Sequence, residues 1–534
     1  MSSEHVAGLP SSVDVYDTTL RDGAQQEGIS LTVEDKLRVA RQLDALGVRY
    51  IEGGWPGANP KDAEFFRRAP EELNLEHATL VAFGSTRRAG VKAESDATLR
   101  SLLEASTKAV CLVAKAWDYH VTDALRTSLG EGIKMAFDSV DFLVKQGLEV
   151  FFDAEHFFDG YKRNPSYSLS ILDAAEQAGA RTLVLCDTNG GALPFEVEEI
   201  VARVSEVSAA QIGVHFHNDS GCAVANSLSA VRAGATHVQG CINGYGERTG
   251  NANLSTVVPD LTLKMGIETV PRERIQLITS LSRHVAEIVN LPLSPQSPYV
   301  GASAFTHKAG LHVSAIARRP DAYEHIDPET VGNGTRFVVS EMAGRQSLLL
   351  KANELGVEIR DEALSQVLER LKELEHKGYH FEVADGSLEL LLRLSEGWTQ
   401  DFFSLESFKV LTEYKEKGES VTEATVKVVV NGERVIETAE GNGPVSALDA
   451  ALRKALRPYF EALSQMHLTD FKVRVLDSDK ATDATVRVLI DSSNGDDTWS
   501  TIGVSSNVIE ASWHALVDSI VVGLIRAAAS SVYL

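Results

Sequence analysis

IGVHFHND, residues 212–219, is a short apolar run that breaks off into polar side chains. Seven other stretches have the same form: VDVYDTTLRDG (13–23), VRYIEGGWPG (48–57), TLVAFGS (79–85), AVCLVAK (109–115), EVFFDAEHF (149–157), TLVLCDTNG (182–190) and HVQGCINGYG (237–246). Such near-continuous apolar strands belong to parallel sheets buried on both faces. Helical periodicity fills the gaps. After the first run Thr32 is placed to N-cap a helix, with Asp35 three residues on in a capping-box pattern. Val33, Leu37, Ala40 and Leu43 then make one apolar stripe, and Gly47 ends it. Eight strand–helix units in about 260 residues predict a TIM (β/α)8 barrel over 13–275, with a doubly wound open sheet as the alternative.

Residues 1–12 read as a tail. Past the barrel the texture changes. LPLSPQSPYVGAS (291–303) carries three prolines within seven residues and reads as an extended connector. DEALSQVLERLKELEHKG (361–378) has a helical stripe at Leu364, Val367, Leu368, Leu371 and Leu374, so 276–398 is expected to be a linker with helical subdomains. From 399 to 534 a repeat appears. FKVLTEYKE (408–416) is echoed by FKVRVLDSD (471–479), ATVKVVV (424–430) by ATVRVLI (484–490), and PVSALDAALRKAL (444–456) by VIEASWHALVDSI (508–520). Each unit reads strand–strand–strand–helix, which predicts a pseudo-twofold α+β domain.

The chain has 534 residues, with 51 Lys+Arg against 75 Asp+Glu, a formal charge of −24. That balance argues against a nucleic-acid binder, whose footprint is basic. A local pocket can still attract an anion. No apolar run reads as a membrane span, and MSSEHVAGLPSS lacks the basic and apolar regions of a secretory signal. Four scattered cysteines form no C-x-x-C and read as reduced thiols. A cytoplasmic location is the expectation.

In a barrel of this kind chemistry collects where strands end. The first run ends in Arg21 and Asp22, the seventh in His215 and His217. His215 and His217 are two apart on a strand, so they share a face. With Asp22 from the first strand and Asn251 from the adjacent eighth strand, they would make a mixed nitrogen–oxygen site for a divalent metal; an ordinary core or surface pair is the plainer reading of H-x-H. Arg21 could grip an anionic substrate and stabilise an alkoxide, or simply form a salt bridge. Thr188 offers a hydroxyl to a carboxylate or caps a turn. Glu155 follows EVFF and is an acid/base candidate. NGYGERTGN (243–251) is glycine-rich without being G-x-G-x-x-G. HKAGLH (307–312) and YEHIDP (323–328) put histidines and a tyrosine into the connector.

Together DTTLRDGAQQEG, HFHND, GCINGYGERTGN, AFTHKAGLH and GNGPVSALDAAL resemble the Claisen-condensing group of 2-isopropylmalate, homocitrate and citramalate synthases, over nearly the whole chain. The resemblance implies a barrel, a helical linker and a regulatory domain that binds an amino acid and dimerises. It implies Asp22, His215 and His217 as ligands of a divalent metal ion (Mn, Mg or Zn), with Asn251 as a fourth. It assigns Arg21 and Thr188 to the 2-oxo acid, and catalysis to Arg21, Glu155, His312 and Tyr323, with His307 competing with His312. The linker residues are expected to reach a partner's barrel in a homodimer.

IEGGWPGANPKD (51–62) and DTNGG (187–191) resemble the citramalate branch. That branch implies acetyl-CoA and pyruvate as substrates and isoleucine as effector, with Trp55 a wall against larger oxo acids. The alternatives are the isopropylmalate branch, with 2-oxoisovalerate and leucine, and a lyase of the hydroxymethylglutaryl-CoA type. Those lyases use a cysteine in the loop after the eighth strand, and GYGERTGN has none.

Overall fold

The computed structural model describes residues 8–307, 319, 323–339, 344–414, 420–477, 483–495 and 497–531. All eight expected strands form, as β1 (Asp14–Asp17), β2 (Tyr50–Gly54), β3 (Thr79–Ser85), β4 (Ala109–Lys115), β5 (Glu149–Glu155), β6 (Thr182–Asp187), β7 (Gln211–Phe216) and β8 (His237–Gly240). They pair in parallel and in order, and β8 closes onto β1 through Tyr16↔Gln239 and Asp17↔Gly240. The TIM barrel is therefore the fold, and the open sheet is excluded. Helix α1 (Val33–Leu46) starts on the full Thr32–Asp35 capping box and stops at Gly47.

The strand period of two explains the unbroken apolar runs. Val15, Ile51, Val110, Leu112 and Phe152 point outward under the helices. Tyr16, Tyr50, Phe83, Cys111 and Phe151 point into the barrel and form a separate cluster. Strand ends are shorter than the sequence runs. The first strand stops at Asp17, and Arg21 and Asp22 sit in the turn that follows.

The chain divides into two compact units. One comprises residues 1–305 and 324–334, the other 306–323 and 335–534. The first extends past the 275 boundary expected from sequence because α10 (Ile278–Ile288) buries Ile278, Leu281 and Val285 in the barrel's own core. The second holds α11 (Arg345–Glu354), α12 (Asp361–His376) and α13 (Asp385–Ser395), which share a core of Leu348, Leu364, Val367, Leu371 and Leu388.

The repeat follows as two three-stranded antiparallel sheets. These are β11 (Ser404–Tyr414), β12 (Ser420–Val430) and β13 (Glu433–Gly441) with α14 (Pro444–Leu456), then β14 (His467–Val475), β15 (Val486–Ser493) and β16 (Thr498–Ser505) with α15 (Val508–Ser531). Ala424, Val426, Val428 and Val430 alternate inward on β12 and share one core with α14 and α15. By length and composition α15 is apolar enough to cross a membrane, which the sequence reading did not anticipate. Its Ala511, Ala515, Leu516, Ile520 and Val521 are buried in that core, which accounts for the hydrophobicity.

His237 stands at the floor of the barrel, fully buried and stacked on Phe151 at 5.3 Å. Among the described residues neither ring nitrogen has a hydrogen-bond partner. Burial pushes its pKa down from 6.5 to about 3. Between those values the unfolded chain binds a proton that the folded one refuses, so stability must fall as pH drops through this window. His237→Phe is expected to reduce that acid sensitivity by a few kcal/mol. Unfolding midpoints of both proteins between pH 4 and pH 7 check it; parallel pH profiles would refute it.

Candidate active site

At the C-terminal mouth of the barrel a cavity of about 560 Å³ is bordered by Arg21, Asp22, Trp55, Glu155, Thr188, His215 and His217. Seven of the eleven residues singled out by sequence therefore line one space. Within it, ligand atoms of Asp22, His215 and His217 all lie within 4.8 Å of one another, and all three residues are buried. His215 Nε2 is 3.4 Å from Asp22 Oδ2 and 3.3 Å from His217 Nε2.

The electrostatics suit a cation. Burial alone would raise the Asp22 pKa, but the Arg21 charge and then the His215 contact hold it well below the usual carboxylate range. Burial, and then the neighbouring His215, lower His217 to about 3, so its imidazole is neutral and has a lone pair to offer a cation. Burial also works against a charged His215, but the Asp22 hydrogen bond and charge outweigh it and raise its pKa. Asp22 Oδ1 and Asn251 Oδ1 are buried acceptors with no hydrogen-bond donor among the described residues. Orphaned oxygens beside two imidazoles are what a divalent cation satisfies, so the donor set fits a metal.

Asn251 is placed differently from expectation. β8 ends at Gly240, and Asn251 returns from the following loop to bridge His217 antiparallel. Gly246 makes that return possible. Its φ is 149°, and a Cβ there would lie 2.9 Å from the Asn251 carboxamide.

Arg21 is held on three sides. Its Nε donates to Glu52 at 2.5 Å, its Nη1 reaches Asp22 at 3.2 Å, and its guanidinium lies 3.9 Å over the Phe83 ring. Burial would discharge it, but Glu52 and then Asp22 keep it cationic. Thr188 Oγ1, at the cavity wall, accepts from the His156 backbone N–H at 3.0 Å, and its own proton has no acceptor among the described residues. His156 sits at φ 56°, in the left-handed region, directly after Glu155. Glu155 pairs with Lys115.

Trp55 packs edge-on against Phe83 at 5.3 Å. The Trp55 backbone N–H donates to Asp62 Oδ2 at 2.8 Å, and Asp62 is paired with the buried Lys36. Gly54, at φ 143°, leaves room for Asp62, which would lie 2.4 Å from a Cβ there. The register of β2 against β3 shifts between Glu52 and Gly54, at the end of the strand that leads into Trp55.

Tyr323 is exposed at 45% and belongs to the second unit. His312 lies outside the described residues, and His307 is the last described residue before it. Sequence reasoning missed Glu52, Phe83, Asp153 and Gln239. Polar residues inside apolar strands, Glu52 in YIEGG, Asp153 in EVFFDAE and Gln239 in HVQG, were the available signal.

Three family models match the chain: HMGL-like over residues 12–284, homocitrate synthase post-HMGL domain-like over 299–379, and the LeuA allosteric (dimerisation) domain over 382–523. An (R)-citramalate synthase of Streptomyces coelicolor is 53% identical over 522 residues, covering 97% of this chain and 98% of the relative. One from Aquifex aeolicus is 50% identical, with 97% and 99% covered. A probable 2-isopropylmalate synthase of Methanopyrus kandleri is 34% identical, with 96% and 98% covered.

The Lys36–Asp62 pair is deeply buried and carries Trp55. Lys36→Met strands the Asp62 charge and is expected to cost about 3–5 kcal/mol. Urea unfolding of the two proteins measures this; a loss below about 1 kcal/mol, the value of an exposed pair, would contradict it.

Proposed function

The chain belongs to the (R)-citramalate synthase family, and we propose on that footing that its barrel condenses acetyl-CoA with pyruvate and water to give (R)-citramalate and CoA. The observation that carries the reading is the Asp22–His215–His217 cluster beside Arg21 in one cavity. Asp22, His215 and His217, with Asn251, would hold a divalent ion, Mn, Mg or Zn. Bound there, it supplies Lewis-acid polarisation of the 2-oxo group.

The chain's own residues do the rest. Arg21 faces the cavity as a fixed cation and stabilises negative charge growing on the C2 oxygen of pyruvate. Thr188 donates its free hydroxyl proton to the pyruvate carboxylate. A base, with Glu155, His312 and Tyr323 as the candidates, removes a proton from the acetyl methyl group. The new C–C bond joins that carbon to C2, and the C2 oxygen gains a proton. Water then cleaves the thioester and releases CoA. Trp55, held by Asp62 and backed by Phe83, walls the cavity against oxo acids larger than pyruvate. A pocket excludes a bulkier substrate by overlap far better than it rejects a smaller one.

The second unit we assign to regulation and assembly. A LeuA allosteric (dimerisation) domain matches there. Exposed apolar side chains such as Leu411, Tyr414, Phe471, Val473 and Val475 on its sheets fit a homodimer contact. Isoleucine is the proposed effector, acting on the first step of a route to itself in the cytoplasm.

Thiol release from acetyl-CoA tests the whole reading. Pyruvate should be preferred to 2-oxoisovalerate, isoleucine should inhibit and leucine should not. Preference for 2-oxoisovalerate with leucine inhibition would transfer the chain to the isopropylmalate reaction. Chelation with EDTA should abolish turnover, and Arg21→Gln should lower kcat by at least about 10². Trp55→Ala should raise the relative use of 2-oxoisovalerate; an unchanged ratio removes Trp55 from the wall.

A further inference from the structure

The proposed mechanism leaves unexplained the polar side chains beneath the metal cluster. Gln239 on β8 is fully buried and lies directly opposite His215 in the β7–β8 register. It does not border the cavity. Its carboxamide is held between two partners. Oε1 is 2.9 Å from His215 Nδ1, and Nε2 donates to Asp153 Oδ1 at 3.0 Å.

The chemistry of these groups fixes the direction of each bond. A carboxylate only accepts, so the Gln239 NH2 faces Asp153 and its carbonyl faces His215. A carbonyl oxygen cannot donate, so the His215 contact is a hydrogen bond only when Nδ1 carries the proton. The lone pair of the neutral ring is then on Nε2. That is the atom directed at Asp22 and His217. With the amide turned over, its NH2 would favour the other tautomer and place an N–H in the middle of the cluster.

We propose that Gln239, locked by Asp153, is a positioning residue that holds His215 in the Nδ1–H tautomer and thereby sets the affinity of the cluster for its divalent cation. This rests on the metal reading given above.

Co(II) titration of the full chain at pH 8, in competition with a chelator and followed by its visible absorption, tests it. Gln239→Met is expected to weaken Co(II) binding about 10–100-fold and to shift the absorption bands. The double variant Gln239→Glu with Asp153→Asn exchanges donor and acceptor along the same line. A carboxylate at 239 accepts from both His215 Nδ1–H and the new amide, so affinity is expected to return to within about threefold of wild type. Thermal melting of the metal-free proteins runs alongside. A Gln239→Met protein that melts lower but binds Co(II) like wild type overturns the proposal, because Gln239 would then be merely structural. A double variant no tighter than Gln239→Met overturns it as well. A wild-type chain that binds no Co(II) removes the metal reading itself, which separates that failure from this one.

Discussion

The buried ion pair between Arg21 and Glu52 is the contact on which the mouth of the barrel is organised. Glu52 is fully buried, with one oxygen on Arg21 Nε and the other accepting from Tyr16 Oη at 2.7 Å. Tyr16 and Glu52 belong to neighbouring strands, so the pair ties β1 to β2 where the turn carrying Arg21 and Asp22 begins. Removing either charge would leave the other in a low-dielectric interior at a cost of about 3–5 kcal/mol. That penalty keeps Arg21 in one place. A guanidinium held by Glu52, Asp22 and the Phe83 face needs no rearrangement when charge develops next to it, which is the condition for electrostatic stabilisation of a transition state.

The same logic divides the barrel interior into two layers. The lower layer is aromatic, with Tyr16, Tyr50, Phe151 and His237 in mutual contact. The upper layer is polar, with Glu52, Asp153, Gln239 and His215 all buried. Burial, and then the Glu52 charge, push Asp153 up to about 6. A barrel built for stability alone would fill this level with branched apolar side chains. Here the hydrogen bonds linking Gln239 to Asp153 and His215 limit the cost of burying polar groups and fix the orientation of the His215 ring.

Much of this was legible in the residues. The eight strands follow from apolar runs with polar ends, α1 from its capping box and stripe, and the repeat from paired motifs. Asp22, His215 and His217 could be grouped because a barrel brings strand ends together whatever their separation in sequence. Glu52, Asp153 and Gln239 could not. Each is a polar residue inside or beside an apolar run, and its meaning depends on register. Gln239 matters because it faces His215 across two strands and reaches Asp153, 86 residues away. No periodicity within one strand reports that. Asn251 was misplaced onto a strand for the related reason that a loop return driven by Gly246 leaves no apolar signature. Trp55 was marked by its position, but the buried Lys36 and Asp62 that hold it lie on α1 and α2 (Pro60–Glu72), where charged residues ordinarily signal solvent.

The chain's net charge of −24 poses a problem for an enzyme of two anions, and the cavity wall answers it. Arg21, Arg87, Arg88 and Lys115 border the cavity together with Asp22, Asp153, Glu155 and Glu247, so the formal charges of the lining cancel. Arg87 and Arg88 are further committed to Glu131, Asp138 and Asp96. A neutral lining inside an acidic protein has little attraction for pyruvate or for a CoA ester at the distances that screening allows. On the proposed reading, a divalent cation on Asp22, His215 and His217 would change the sign of that local field. It would add positive charge beside Arg21, in the cavity that Thr188 also borders. Substrate binding and oxyanion stabilisation would then depend on the same two charges. The acidic surroundings then matter little, because the interaction is made at contact distance and within a buried site rather than through the field of the whole protein.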